Sequence, residues 1–135
     1  MKVSLDTIVL VSAFATRGIC EDVLNVVLAK HQLVLGEAVL AELQRVLDKK
    51  MRMPRDVAEE AVALLRREAV VVSSAPAVVL ELRDPDDVVV LSEAIEGLAE
   101  ILVTGDRDLL DVADTLPLPV VSPRGFWEKL HCDRK

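Results

Sequence analysis

Aromatic side chains are almost absent from this sequence: Phe14, Phe126 and Trp127 are the full complement, and there is no tyrosine. That scarcity weighs against a surface on which nucleobases stack, because such platforms need several exposed rings. Cysteine is equally sparse, and Cys20 and Cys132 make neither a disulfide framework nor the close pairs of a zinc knuckle. Positive charge is in deficit, with 16 Lys and Arg against 23 Asp and Glu and a formal net charge of -7. This argues against a protein that grips nucleic acid through a broad basic surface. It does not exclude a nuclease, since carboxylates that hold divalent metal add to the negative count while serving the chemistry. No apolar run approaches the roughly 20 residues that span a bilayer, and no basic segment leads into an apolar one at the start. The expectation is a cytoplasmic protein with no signal peptide and no membrane contact. Gly-x-Ser-x-Gly, Gly-x4-Gly-Lys and His-Glu-x-x-His motifs are all missing.

What is present is a chain of 135 residues, 52% hydrophobic, enough for one domain (residues 1–135) with a real core. Residues 3–5 are apolar or small, then Asp6-Thr7 leads into a run with helical spacing at Val9, Leu10, Ala13 and Phe14. This reads as a buried strand turning into a helix, with Asp6 at the strand's carboxyl end. Helices are expected over about 21–30, 36–50 and 54–68, the last with Val57, Ala61, Leu64 and Leu65 inward. Short strands are expected at 31–35, 69–72, 101–104 and 120–121, with a possible extended piece at 78–82. DPDD starts a further helix over about 85–96, Asp106 begins a short one, and Ser122-Pro123 starts a terminal helix that packs through Phe126, Trp127 and Leu130. Strands alternating with helical patterns imply a three-layer α/β/α domain built on a parallel sheet.

The informative residues are acidic. Asp84 suits an N-cap before Pro85, and Asp86 suits a first helical turn. Asp87 differs, because Val90, Leu91 and Ala94 follow at three, four and seven residues and put it on the buried stripe. An inward carboxylate needs a cationic partner to stay ionised. Glu42 flanks the apolar stripe of its own helix between Val39 and Val46, and a packed stem with a solvated head is an equally good local description. In VTGDRDLL, residues 103–110, Asp106 follows a β-branched strand with Asp108 two residues on; both could merely cap and enrich a helix start. Helix capping does not explain why Asp6, Glu42, Asp87 and Asp106 all map to one end of the sheet, where ligands bind in open α/β folds. Oxygen-only donors favour Mg2+ or Mn2+, and a pair of such ions supports phosphodiester cleavage. Arg107, between Asp106 and Asp108, is placed to meet a substrate phosphate or an acidic partner. Arg45, Lys49, Lys50, Arg52 and Arg55 form the densest basic run, read first as a solvated face. His31 and His131 are read as surface histidines.

LDTIVLVSA at 5–13, AEL at 41–43, DPDD at 84–87, VTGDRDLL at 103–110 and the closing SPRGFWEKL resemble the PIN-domain family, in particular its prokaryotic toxin-like branch. The resemblance implies a parallel sheet of about five strands and a Mg2+- or Mn2+-dependent endoribonuclease that hydrolyses single-stranded RNA. It further implies a toxin of a toxin–antitoxin pair, with an antitoxin protein as partner and homodimerisation. Asp6, Glu42, Asp87 and Asp106 correspond to that family's acidic, metal-binding quartet, Asp108 to its accessory acid and Thr7 to the hydroxyl residue beside the first aspartate. Two positions depart from the pattern. Family members commonly carry asparagine where this chain has Ile8, and the toxin-like branch often has it where this chain has Val88. Both changes place apolar groups near the site, and they support the alternative of a catalytically impaired PIN-like module that binds or regulates. A phosphoryl-transfer enzyme on a related fold finds little support, since Ile8 stands where a phosphatase of that kind would need a second aspartate.

Overall fold

The computed structural model of this chain describes residues 1–73 and 85–132. Among them, five parallel strands form one sheet: β1 (Lys2–Leu5), β2 (Gln32–Gly36), β3 (Val70–Val72), β4 (Ile101–Val103) and β5 (Val120–Val121), in the spatial order β3-β2-β1-β4-β5. The seven α-helices are α1 (Thr7–Ala15), α2 (Ile19–Lys30), α3 (Glu37–Arg45), α4 (Arg55–Glu68), α5 (Pro85–Glu96), α6 (Arg107–Asp111) and α7 (Pro123–Cys132). The expected three-layer α/β domain with a parallel, PIN-like sheet is the observed one. The extended piece expected at 78–82, together with Asp84, lies outside the described residues.

Period-2 alternation divides the strands between two cores. Val3, Leu5, Leu33, Leu35, Ile101 and Val103 face the larger one, with side chains from α1, α2, α3, α4 and Phe126 of α7. Leu102 and Val120 face the smaller one, against Leu91 and Ala94 of α5 and Leu109 of α6. Fully covered central strands explain why β1 and β4 read as uncharged runs instead of alternating ones.

Several local expectations are corrected. The helix expected to run through residue 50 changes pitch: α3 ends at Arg45 and widens into a π turn over Val46–Lys50. Pro54 stands just ahead of α4 instead of inside its first turn. The helix then buries Ala58, Ala61, Val62 and Leu65, spaced i, i+3, i+4 and i+7, and this leaves Val57 48% exposed where it was expected inward. His31 is not a free surface histidine. It ends α2 with its ring edge-on to Phe126, centroids 6.4 Å apart, and burial, followed by the nearby amino terminus and Lys30, lowers its pKa. Gly97 follows α5 as expected, but the left-handed residue there is Leu98, at φ 60°. Gly97 is needed for room instead, because a Cβ at that position would overlap the Val34 side chain.

Candidate acidic cleft

The register of β1 and β4 assembles the first half of the site. Leu5 pairs with Val103, and the Asp6 amide donates to the Val103 carbonyl at 3.1 Å, so the next residues, Asp6 and Thr104, emerge side by side at the carboxyl edge. Each strand stops there for a local reason. Asp6 caps α1, its Oδ1 accepting from the Val9 amide at 2.9 Å, and Asp106 caps α6, its Oδ1 accepting from the Asp108 amide at 2.9 Å. The structural and functional readings of these aspartates therefore coexist.

Thr104 joins them. Its buried hydroxyl donates to Asp6 Oδ2 and accepts from the Asp106 amide at 3.0 Å, forming a continuous seam across two strands. Asp6 is only 5% exposed. Burial raises its pKa above the ordinary carboxylate value; hydrogen bonds from Thr104, Val9 and Gly105 pull it back, and the Asp106 charge pushes it up again. Asp6 is thus a carboxylate that its surroundings under-compensate, next to a second carboxylate.

The second half comes from helices. A cleft of about 310 Å³ is lined by Asp6, Thr7 and Ile8 of the first strand–helix junction, Glu42 of α3, Asp87 of α5 and Asp106. The four expected acids therefore do border one space. Asp87 is 8% exposed, whereas Asp86 beside it is open to solvent. Glu42 is paired on its own helix: its carboxylate accepts from Nη2 and Nε along one edge of the Arg45 guanidinium, at 2.6 and 3.1 Å, which lowers its pKa. Thr7 lines the cleft, while the side chains of Arg107 and Asp108 are exposed and do not border it. Within the basic run, Arg45 is committed to Glu42 and Arg55 to Glu59. Ile8 is 51% exposed at the cleft, and Val89 is 42% exposed on the facing wall.

All-oxygen donors with one buried, under-compensated aspartate match the chemistry of a hard divalent cation. As the side chains stand, however, no three acidic, histidine or cysteine residues converge on a metal-sized position among the described residues. In this arrangement Glu42 is committed to Arg45. The donor set fits a hard divalent cation by its chemistry.

Residues 2–108 match the family model of the PIN domain. The chain belongs to the PIN-domain family. No curated protein gives a significant match. Among solved structures, this PIN domain is similar to a chain of VapBC2 from Rickettsia felis bound to a DNA fragment from their promoter, at 15% identity and a TM-score of 0.62, with 90% of this chain and 98% of that one covered. A likeness at that identity is one of fold. No helix among the described residues is long and apolar enough to cross a membrane.

Two residues of the site were missed in the sequence. Thr104 was read only as a strand end; its signal was a hydroxyl at a buried strand position two residues before an aspartate. Glu93 of α5, 1% exposed, was not singled out. Its partner, the amide of Ala38, is 55 residues away, so nothing local marks it.

Proposed function

We propose that this PIN domain is a Mg2+- or Mn2+-dependent endoribonuclease that hydrolyses single-stranded RNA and serves as the toxin of a toxin–antitoxin pair. The observation that carries the reading is Asp6, buried against Thr104 with the Asp106 charge beside it, in a cleft that Glu42 and Asp87 also line. When bound, a divalent cation supplies charge neutralisation and an activated water for phosphodiester hydrolysis. Asp6, Asp87 and Asp106 would hold it, with Glu42 joining on release from Arg45. Thr104 fixes the Asp6 carboxylate in one orientation, and Thr7 offers a hydroxyl to a substrate oxygen. Arg107 and Asp108, exposed on the first turn of α6 outside the cleft, can meet a neighbouring phosphate and serve as an accessory acid, respectively. The net charge of -7 favours a basic partner protein as well as metal. Membership of the PIN-domain family, and a fold shared with a chain of VapBC2, support an antitoxin partner; a homodimer and a cytoplasmic setting belong to the same proposal.

The test is cleavage of a panel of single-stranded RNAs by metal-free protein supplemented with Mg2+ or Mn2+, beside a folded Asp6→Ala variant. Metal-dependent cleavage by the wild type that falls at least about a hundredfold in the variant is expected. A folded variant that cleaves normally removes Asp6 from the site. Exposed Ile8 at the cleft, with Glu42 sequestered by Arg45, favours one second reading, a binding or regulatory PIN-like module with impaired catalysis. A wild type that binds a partner yet cleaves nothing on the panel with either metal selects it.

A further inference from the structure

The two helical walls of the cleft are joined by a buried acid outside the acidic quartet. Glu93 lies on α5, six residues past Asp87 and 1% exposed. Its Oε2 accepts the Ala38 amide at 2.9 Å, at the N-terminus of α3. That helix has no cap of its own, since Gly36 precedes it and offers no side chain. Glu93 supplies the missing acceptor from another helix, and its negative charge suits the positive end of α3.

Gly36 is what admits it. Even-numbered β2 residues face α5, and a Cβ at Gly36 would overlap the Glu93 carboxylate. Gly36 and Glu93 are thus one device written at two distant places in the sequence. Burial raises the Glu93 pKa, the Ala38 and Val39 amides oppose that, and the Glu37 charge adds to it; Oε1 has no hydrogen-bond partner among the described residues. A buried carboxylate with one oxygen unmet carries a desolvation cost that offsets what the Ala38 bond contributes to stability.

We propose that Glu93 is a positioning residue: by capping α3 from α5 it sets the spacing between Glu42 and Asp87, and through that spacing the affinity of the cleft for divalent cation. This rests on the metal-dependent reading of the site. The wall it fixes carries Ala38, Val39 and Glu42; the wall it belongs to carries Asp87 and Val90. Elsewhere α3 packs through Val39, Leu40 and Leu43 in the larger core, and its start also carries the exposed Glu37–Arg66 ion pair, a weak restraint.

The experiment compares wild type with Glu93→Met, which keeps volume and removes the acceptor, and Glu93→Gln, which keeps an acceptor for Ala38. Each is titrated with Mn2+ alone, its melting temperature is taken without metal, and hydrogen exchange is followed at the Ala38 amide. In Glu93→Met, Mn2+ affinity is expected to fall about tenfold and Ala38 exchange to rise about tenfold, the scale of one hydrogen bond to a charged acceptor. The metal-free melting temperature should hold or rise, and Glu93→Gln should restore affinity to within about threefold. A purely structural role would move melting temperature and affinity down together, and that result overturns the proposal. So does a folded Glu93→Met with wild-type Mn2+ affinity. Should Glu93→Met fail to fold, Gly36→Ala displaces the same carboxylate, and unchanged Mn2+ affinity there overturns the proposal equally. Asp6→Asn runs alongside. If wild type binds Mn2+ and Asp6→Asn does not, the metal reading stands whatever Glu93 does; if wild type binds none, that reading falls and takes the proposal with it.

Discussion

The strand-borne and helix-borne halves of the cleft are built differently. Asp6, Thr104 and Asp106 emerge from adjacent, fully buried strands and are locked by hydrogen bonds to one another and to helix starts. Glu42 and Asp87 come from α3 and α5, whose relative placement depends on packing and on the Glu93 carboxylate at the start of α3, and Glu42 is paired with Arg45. One half is fixed by backbone register, and the other is adjustable. On the proposed reading a cation would be held by Asp6 and Asp106 as they stand and by Glu42 once released from Arg45, so perturbing each half should have a different signature.

The largest effect is expected in the locked half. Thr104→Val keeps the shape of the side chain and removes the hydroxyl between Asp6 and the Asp106 amide. A loss of about 1–3 kcal/mol in urea unfolding is expected, together with at least about tenfold weaker RNA cleavage. A variant with wild-type stability and activity would show that the seam orients nothing.

Next comes pH. The folded-state pKa values of Asp6 and Glu93 are raised above the ordinary carboxylate values, in both cases by burial first. The folded protein therefore binds their protons more readily than the unfolded chain does. Their contribution is complete below those ordinary values and is lost as pH rises through the raised ones. Glu37 and Glu42 shift the other way through Arg66 and Arg45, but both are exposed and screened by solvent. Metal-free protein should accordingly lose stability in urea titrations as pH rises above the ordinary carboxylate range, and Asp6→Asn should flatten that slope. An unchanged slope would mean that Asp6 carries no unbalanced charge.

The smallest effect belongs to the movable half. Arg45→Ala frees Glu42, and because exposed pairs contribute about 0–1 kcal/mol the melting temperature should barely change. Mn2+ affinity should rise about two- to threefold as the competing cation is removed, read by calorimetric titration. A fall in affinity would make Arg45 a participant in the site instead of a competitor.

The same contrast explains what could be read from the sequence. Asp6 and Asp106 were legible because each breaks an uncharged strand at its end, and Asp87 because its helical spacing places it on a buried stripe. These are local patterns. The hold of Arg45 on Glu42, the ring of Phe126 against His31 and the outward turn of Val57 depend on where helices settle once packed, and periodicity does not carry that information. Glu93 is the clearest case: a glutamate in an ordinary helical run becomes intelligible only beside Gly36 at the end of another strand. The pitch change after Arg45 is likewise invisible in VLDKK, which reads as helix in either geometry.

The most direct test of a shared cation site is titration of Mn2+ into metal-free wild type and the Asp6→Asn/Asp106→Asn double variant, following binding and melting temperature together. Removal of two repelling carboxylates should raise the melting temperature of the metal-free variant, while Mn2+ should stabilise the wild type far more than the variant. If Mn2+ stabilises neither protein and the double variant melts lower, Asp6 and Asp106 act only as helix caps, and the cleft is not a metal site.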